Sequence, residues 1–485
     1  MFDTSIIMLL KYILVLLILP LTYGILFIRS ILGNKIKWVL FYILSWFSWI
    51  FLVSFLVFDL NFLFKNIYPY NLIISYIILV TFFFISVYTK KINLKQLLHT
   101  FKINISLLEI KQNFKQLNIT EKFLTIFFFI YSIIFLITWF IFKTNLPSFA
   151  DDTFWNWNKP SINMYYDNKI IMFGEKNEIL WKWRLWYPIY IPLYKTIIAK
   201  ITWSWNDIYV NLLNYLIFIL FITFLRNITY NLTKNIFYTW LSWFLIMSLP
   251  LVFYHSVSGY MDLYSAVISV IAIYLIFLYF KKKDIDYLIL AIFFLIWLAY
   301  IKNDGFVIYT PWIIFATIVT ILLQNKLKYT LKSLNNKKFI TNIIIFILFF
   351  FLPFLFLKKY YNLWFNQAAG VQTWIGLEKP HWEIFNVFPT IFLNEGNYNI
   401  ILIWILLSIF ISFSLLKKKS YKLIFVLSPV FIFILFNLAF LITANYKWVL
   451  NQTTVNRVFT MVFVILLAFL SILIFDHTND NKKNN

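Results

Sequence analysis

The sequence predicts an all-α, polytopic membrane protein of about thirteen transmembrane helices. Three observations carry that expectation: composition, the spacing of long apolar windows, and the segregation of basic residues between alternate loops. The chain has 485 residues, of which 62% are hydrophobic, 22% aromatic and only 13% charged. Soluble chains carry about 25% charged residues, and uninterrupted apolar stretches are the signature of membrane spans. Cysteine is absent, which excludes disulfides, thiol catalysis and thiolate metal sites. Phe, Ile, Leu, Lys and Asn dominate while Gly is scarce, a bias that fits AT-rich coding in a bacterium.

Windows of roughly 20 apolar residues, the length needed to cross a bilayer, fall near 5–28, 38–60, 69–89, 123–143, 207–225, 236–254, 262–280, 285–302, 305–323, 339–357, 399–416, 423–442 and 454–475. The first begins almost at residue 1 and lacks a small-residue cleavage site, so it reads as a retained helix. The organisation expected is a three-span extension over 1–122, a catalytic-size membrane region over 123–475 and a polar tail over 476–485.

Numbering the loops alternately sorts the charge. One set holds Arg29, Lys35 and Lys37; the cluster Lys90 to Lys122; Arg226 and Lys234; and Lys281, Lys282 and Lys283. It continues with Lys326 to Lys338; Lys417, Lys418, Lys419 and Lys422; and Lys482 and Lys483. That set carries 26 of the 42 Lys and Arg but 6 of the 19 Asp and Glu. The positive-inside rule assigns it to the cytoplasm, with the N-terminus outside and the C-terminus inside a bacterial cell membrane. The net charge of +23 is thereby largely accounted for by the inner leaflet, and no nucleic-acid partner is needed. Within this set, residues 90–122 are amphipathic and basic and read as an interfacial helix on anionic lipid.

The opposite set of loops holds nearly every unusual polar cluster. Its two long members, 144–206 and 358–398, carry Trp181, Trp183, Trp186, Trp203 and Trp205 in one case and Trp364, Trp374 and Trp382 in the other. Trp at this density favours the headgroup level, so juxtamembrane helices along the outer leaflet are expected.

Four clusters could carry chemistry. The first is LPSFADDTFWNWNKP, residues 146–160, with Asp151 and Asp152 directly behind a span and Lys159 close by. Carboxylates at a membrane boundary are costly and are site candidates by default. Adjacent carboxylates disfavour each other's charge, which suits one of them to accept a proton. The same residues also serve as helix caps. The second is HSVSGYMD, His255 to Asp262, in which Gly259 and Tyr260 sit between a His and an Asp. Asp262 opens the next span, where it could be a simple cap on the helix dipole. The third is KNDGF, with Lys302, Asn303 and Asp304; Asn-Asp-Gly is a turn signal, but a cation at the interface is favoured by an anion such as phosphate. The fourth is NQTTVNRVFT, with Arg457 a few residues into the last span, facing a cavity or snorkelling.

At these residues the chain resembles the GT-C superfamily of integral-membrane glycosyltransferases, in particular bacterial relatives of the dolichyl-phosphate-mannose–protein mannosyltransferases. The acidic pair followed by Trp and Lys159 is similar to that family's first outer loop. WYPIYIPL with Tyr187, Pro188 and Pro192, then GYMDLYSA, then KNDGF resemble its "YPLLLPL", "GYADLPLA" and "KNEGL" segments in the same order over about 146–310. Arg457 is similar to a late Arg. Two departures stand out: three spans precede the one leading into the acidic loop, where the best-known members have one, and KNDGF has Asp in place of Glu.

The resemblance implies an inverting transfer of a sugar from a polyprenyl-phosphate donor to an extracytoplasmic glycan, lipid or protein acceptor. Asp151 or Asp152 would be the base. Lys302, Arg457, His255 and Lys159 would hold the donor phosphate, with Gly259, Tyr260, Asp262, Asn303 and Asp304 shaping the site. No cofactor is required by the sequence; a divalent cation, Mg or Mn, on Asp152 and Asp262 is the one candidate. The competing classes are a surface-polysaccharide ligase or polymerase and a lipid-linked-sugar transporter or flippase. A transporter should place its ionisable residues near the midplane on broken helices, whereas these clusters sit at span ends.

Overall fold

The computed structural model describes residues 2–33, 35–36, 38–64, 67–88, 112–145, 153–170, 188–325, 327–360, 379–394, 401–443, 446–452 and 454–484. Asp151, Asp152, Tyr187, Trp181, Trp183, Trp186, Trp364, Trp374 and most of the basic segment 90–122 lie outside these. Among the described residues all regular structure is helical. The chain is a membrane protein by the number and apolar character of its helices: among the described residues nine are long and apolar enough to cross a bilayer, from Ile6–Leu32 to Val455–Thr478.

Nine of the thirteen predicted windows coincide with these helices. Window 69–89 falls on the 19-residue apolar helix Tyr70–Tyr88, and windows 285–302 and 399–416 fall on the 17-residue helices Ile285–Ile301 and Ile401–Lys417. Window 236–254 falls on two helices, Ile236–Met247 and Pro250–Ser258, bent by 71°. The break has a local cause. Pro250 disfavours helical backbone at Leu249 and is well suited to begin a new helix, while the Ser248 N–H closes the first helix onto the Phe244 carbonyl at 2.8 Å.

By contacts the chain divides into two compact units that interleave in sequence. The first comprises Met1–Gln116, Ile133–Asn227 and His255–Tyr260; the second comprises Leu117–Ser132, Ile228–Tyr254 and Met261–Asn485.

In the first unit, the helices Phe2–Leu32 and Trp38–Phe64 pack at close range. Gly24 makes this possible: a Cβ there would stand 1.8 Å from the Ser45 carbonyl oxygen, the small-residue contact that membrane helices use to bring backbones together. Buried indoles then find polar partners: Trp46 Nε1 donates to the Leu16 carbonyl at 2.8 Å and Trp49 Nε1 to the Tyr194 hydroxyl at 2.9 Å. Tyr194 lies on the helix Tyr190–Thr202, within the long segment expected to rest on the outer leaflet. That helix is buried on nearly every side, only Lys200 and Ile201 being less than fully enclosed. Its Pro192, Tyr194 and small residues meet other helices, whereas Trp203 just beyond its end is exposed.

In the second unit, the helix Asp262–Lys282 is enclosed along its whole apolar length, as expected of a helix hydrophobic all round. Val455–Asn484 is its long partner, and Phe425 and Phe469 stack at 4.0 Å beside them. Charge is segregated along this unit. Asp262 begins the central helix and Lys281–Lys283 end it, about 30 Å away at 1.5 Å per residue. The basic end carries further ion pairs, Lys338 with Asp286 and Lys422 with Asp476.

Candidate functional site

At the opposite end of the second unit, three sequence clusters meet. The helix Ile285–Ile301 stops at Lys302, whose backbone is extended at φ −155° and ψ 151°. The link to the next helix is this one residue: Asn303 and Asp304 turn the chain directly into the helix, with the Gly305 N–H closing on the Lys302 carbonyl at 2.9 Å. Gly305 is glycine for close approach. A Cβ there would lie 2.0 Å from the Leu298 carbonyl oxygen, and the chain continues through a wide turn, Gly305–Tyr309, closed by the Thr310 N–H on the Gly305 carbonyl. Such i→i+5 turns recur at functional sites.

The extended Lys302 sends its ammonium to two carboxylates. Nζ is 2.8 Å from Asp262 Oδ1 and 3.0 Å from Asp304 Oδ2. Each carboxylate stands in the first turn of a helix, where the N-terminal dipole favours negative charge. The N-cap position of its helix is Met261, and the Asp262 oxygens face cations. Arg457 Nε approaches Asp262 Oδ2 at 3.6 Å, within ion-pair range though beyond a hydrogen bond. All four side chains are largely removed from solvent, at 7 to 19% exposure. Arg457 is therefore directed inward rather than snorkelling alone. Buried Tyr309 lies within electrostatic reach of Asp262, Asp304 and Lys302.

The remaining predicted residues belong to the first unit. His255 is fully buried in the last turn of Pro250–Ser258, its ring 5.3 Å from that of Tyr260. Lys159 is exposed and lies over the Trp155 ring at 4.2 Å, a cation–π contact. Gly259 adopts φ +89°, where a Cβ would meet Thr153 Cγ2 at 2.7 Å and Asn214 Nδ2 at 3.2 Å. Thr153, which immediately follows Asp152 in sequence, donates its hydroxyl to the Ser258 carbonyl, and Lys143 Nζ donates to the Val257 carbonyl at 2.6 Å. The residue after the acidic pair and the HSVSGY turn are thereby joined within one unit.

No family model matches the chain, and no curated protein and no solved structure is significantly similar to it.

Sequence reasoning missed the two buried lysines of the first unit, Lys143 and Lys195. Signals existed. Lys143 ends a span on the side where cations are disfavoured by the loop assignment, and Lys195 interrupts the apolar run Tyr190–Ile198. Lys195, outside any candidate span, is enclosed completely, and its Nζ donates to Asn158 Oδ1 at 2.8 Å and Asn211 Oδ1 at 2.7 Å. Burial, reinforced by the charge of Lys143 and opposed by Asp207, pushes its amine down to about 7.

The divalent cation expected on Asp152 and Asp262 falls partly on Asp152, which lies outside the described residues. Asp262 already faces two cations, and among the described residues no group of three or more His, Asp or Glu is placed to hold an ion.

Proposed function

We propose that the protein is a membrane glycosyltransferase that moves a sugar from a polyprenyl-phosphate donor to an acceptor hydroxyl on the extracytoplasmic face, with inversion at the anomeric carbon. One observation carries the reading: Asp262, Lys302, Asp304 and Arg457, drawn from three clusters far apart in sequence, converge on one end of the second unit.

The chemistry assigned to these residues follows from charge. Lys302 and Arg457 supply the positive potential that holds a donor phosphate and stabilises the charge that grows on it as the glycosidic bond breaks. Asp262 and Asp304 fix Lys302 in place, since an ammonium clamped by two carboxylates has little freedom to reorient. Asp151 or Asp152 removes the proton from the acceptor hydroxyl. The acceptor oxygen forms the new bond to the anomeric carbon, the old bond to the phosphate oxygen breaks, and its electron pair departs with polyprenyl phosphate. The placement of these clusters at span ends, rather than mid-span, supports surface chemistry on a lipid over transport.

The test is transfer by the full chain in lipid nanodiscs, given polyprenyl-phosphate sugars and extracted acceptors. Asp151→Asn or Asp152→Asn is expected to lower kcat by about 10²- to 10⁴-fold, the contribution of a positioned base. Full transfer by both variants, with insertion verified, would remove the acidic pair from the mechanism.

A further inference from the structure

The network around Lys195 uses none of the residues assigned above, yet it ends on the segment that leaves the acidic pair. Asn158 and Asn211 each present a carboxamide oxygen to Lys195 Nζ. Each turns its amide nitrogen to residue 207: Asn211 Nδ2 donates to the Asp207 backbone oxygen at 2.8 Å, and Asn158 Nδ2 reaches Asp207 Oδ1 at 3.4 Å. Trp205 Nε1 holds the same carboxylate oxygen at 3.1 Å. One amide, that of Asn158, therefore stands between the amine and the carboxylate, and the direct Lys–Asp pair common in proteins is replaced by a hub that points outward to two chain segments.

One of those segments is Thr153–Asn158, the wide turn that begins directly after Asp152 and is tied at its other end to the Ser258 carbonyl. The other is the start of the span beginning at Asp207, whose Asn211 Oδ1 lies 3.5 Å from where a Gly259 Cβ would be. Lys195 thus links, through one nitrogen, the segment after the acidic pair and the wall of the glycine turn. Thr196, its neighbour, adds a hydrogen bond to the Ser161 carbonyl at 3.0 Å.

We propose that Lys195 is a positioning residue for Thr153–Asn158, the turn that follows Asp151 and Asp152, tying its Asn158 to Asn211 by one hydrogen bond to each rather than by charge. The inference rests on the reading of that pair as the catalytic base. The geometry asks for two N–H groups facing two carbonyl oxygens. Ammonium and neutral amine both supply them, so the hub holds in either protonation state of an amine brought near neutrality by its burial.

The discriminating variants are Lys195→Met, which fills the space without a donor, and Lys195→Gln, which offers two N–H groups and no charge. In nanodiscs, Lys195→Met is expected to lower kcat about 100-fold, as small misplacements of a catalytic group do, with donor KM little changed. Lys195→Gln is expected to recover kcat to within about tenfold of wild type, since one weakened hydrogen bond is worth roughly that factor or less. Amide hydrogen exchange over 153–161 should quicken in Lys195→Met and return toward wild type in Lys195→Gln. Should Lys195→Met fail to insert, Asn158→Leu, which removes one acceptor, carries the same exchange test. Wild-type kcat and wild-type exchange in Lys195→Met, or a Gln variant as impaired as Met, would overturn the assignment. If wild-type protein transfers no sugar at all, the glycosyltransferase reading fails while the exchange data still decide the role of Lys195.

Discussion

Lys302 donates to Asp262 across forty positions of sequence, Nζ to Oδ1 at 2.8 Å, both side chains at least nine-tenths buried. The pair joins the residue that ends one apolar helix to the residue that begins another, and Asp304 and Arg457 complete a group with as many negative as positive charges. A balanced cluster of this kind tolerates burial because each charge is met by another, whereas removal of one member strands its partner.

That asymmetry makes the first prediction. Lys302→Met, leaving Asp262 and Asp304 without their shared cation, is expected to cost about 3–5 kcal/mol of stability, the range for breaking a buried pair. Combining it with Asp262→Asn should cost clearly less than the sum of the two single changes, because residues in contact are not additive. Thermal unfolding of the purified protein and its variants measures both. Strict additivity would mean that the two side chains do not interact.

The glycine turn gives the second. Gly259 sits at φ +89°, a region that costs other residues about 1–2 kcal/mol, and a Cβ there would crowd the Thr153 methyl at 2.7 Å. Gly259→Ala is expected to lower the unfolding temperature, and adding Thr153→Ser, which keeps the hydroxyl for Ser258 and deletes the methyl, should restore part of the loss. At Gly305 the neighbour is the Leu298 backbone oxygen at 2.0 Å, which cannot swing away. Gly305→Ala should therefore be the more damaging of the two, and no single side-chain trimming should rescue it.

How far the sequence carried depends on the kind of residue. Long apolar helices were legible from hydropathy because a span must satisfy its own backbone and present apolar side chains. The central helix Asp262–Lys282 and the last helix stand close to where windows 262–280 and 454–475 placed them. Asp262 and Lys302 were each legible as charges at the ends of apolar spans, but it is the structure that pairs them. What sequence could not give was the break at Leu249 in window 236–254, since a single Pro leaves open whether a helix bends or continues. Nor did it give Lys195, whose partners Asn158 and Asn211 are two of many asparagines, and nothing in spacing marks which carboxamide faces a buried amine. Nor did it mark how fully Tyr190–Thr202 is enclosed, because aromatic residues serve a packed core as readily as a headgroup layer.

The third prediction concerns sidedness, which rests on the loop charges. A reporter fused after residue 160 is expected to be extracytoplasmic and one after 283 cytoplasmic, by the positive-inside rule. The same assay would place Lys281–Lys283 and the pairs Lys338–Asp286 and Lys422–Asp476 against the inner leaflet. Fusions reporting the reverse would move the Lys302 cluster to the cytoplasm, and with it the donor.

The fourth concerns pH and isolates Lys195. Its ordinary value is 10.5, and in the folded protein burial and the neighbouring charge of Lys143 hold it at about 7, with Asp207 opposing them. Below about pH 7 the amine is protonated whether the chain is folded or not, and the folded state carries the full penalty of an enclosed charge. Between pH 7 and 10.5 the unfolded chain still binds the proton and the folded one has released it, so stability rises with pH across that window and levels off above it. Lys195→Met has no proton to release there. Unfolding temperatures measured from pH 6 to pH 10 should therefore climb for wild type relative to Lys195→Met, whatever the absolute offset between the two, while other titrating groups, Lys143 included, act on both proteins. Parallel curves would mean that Lys195 keeps its ordinary protonation, and that its charge is balanced by a negative group near the Asn158 and Asn211 carboxamides.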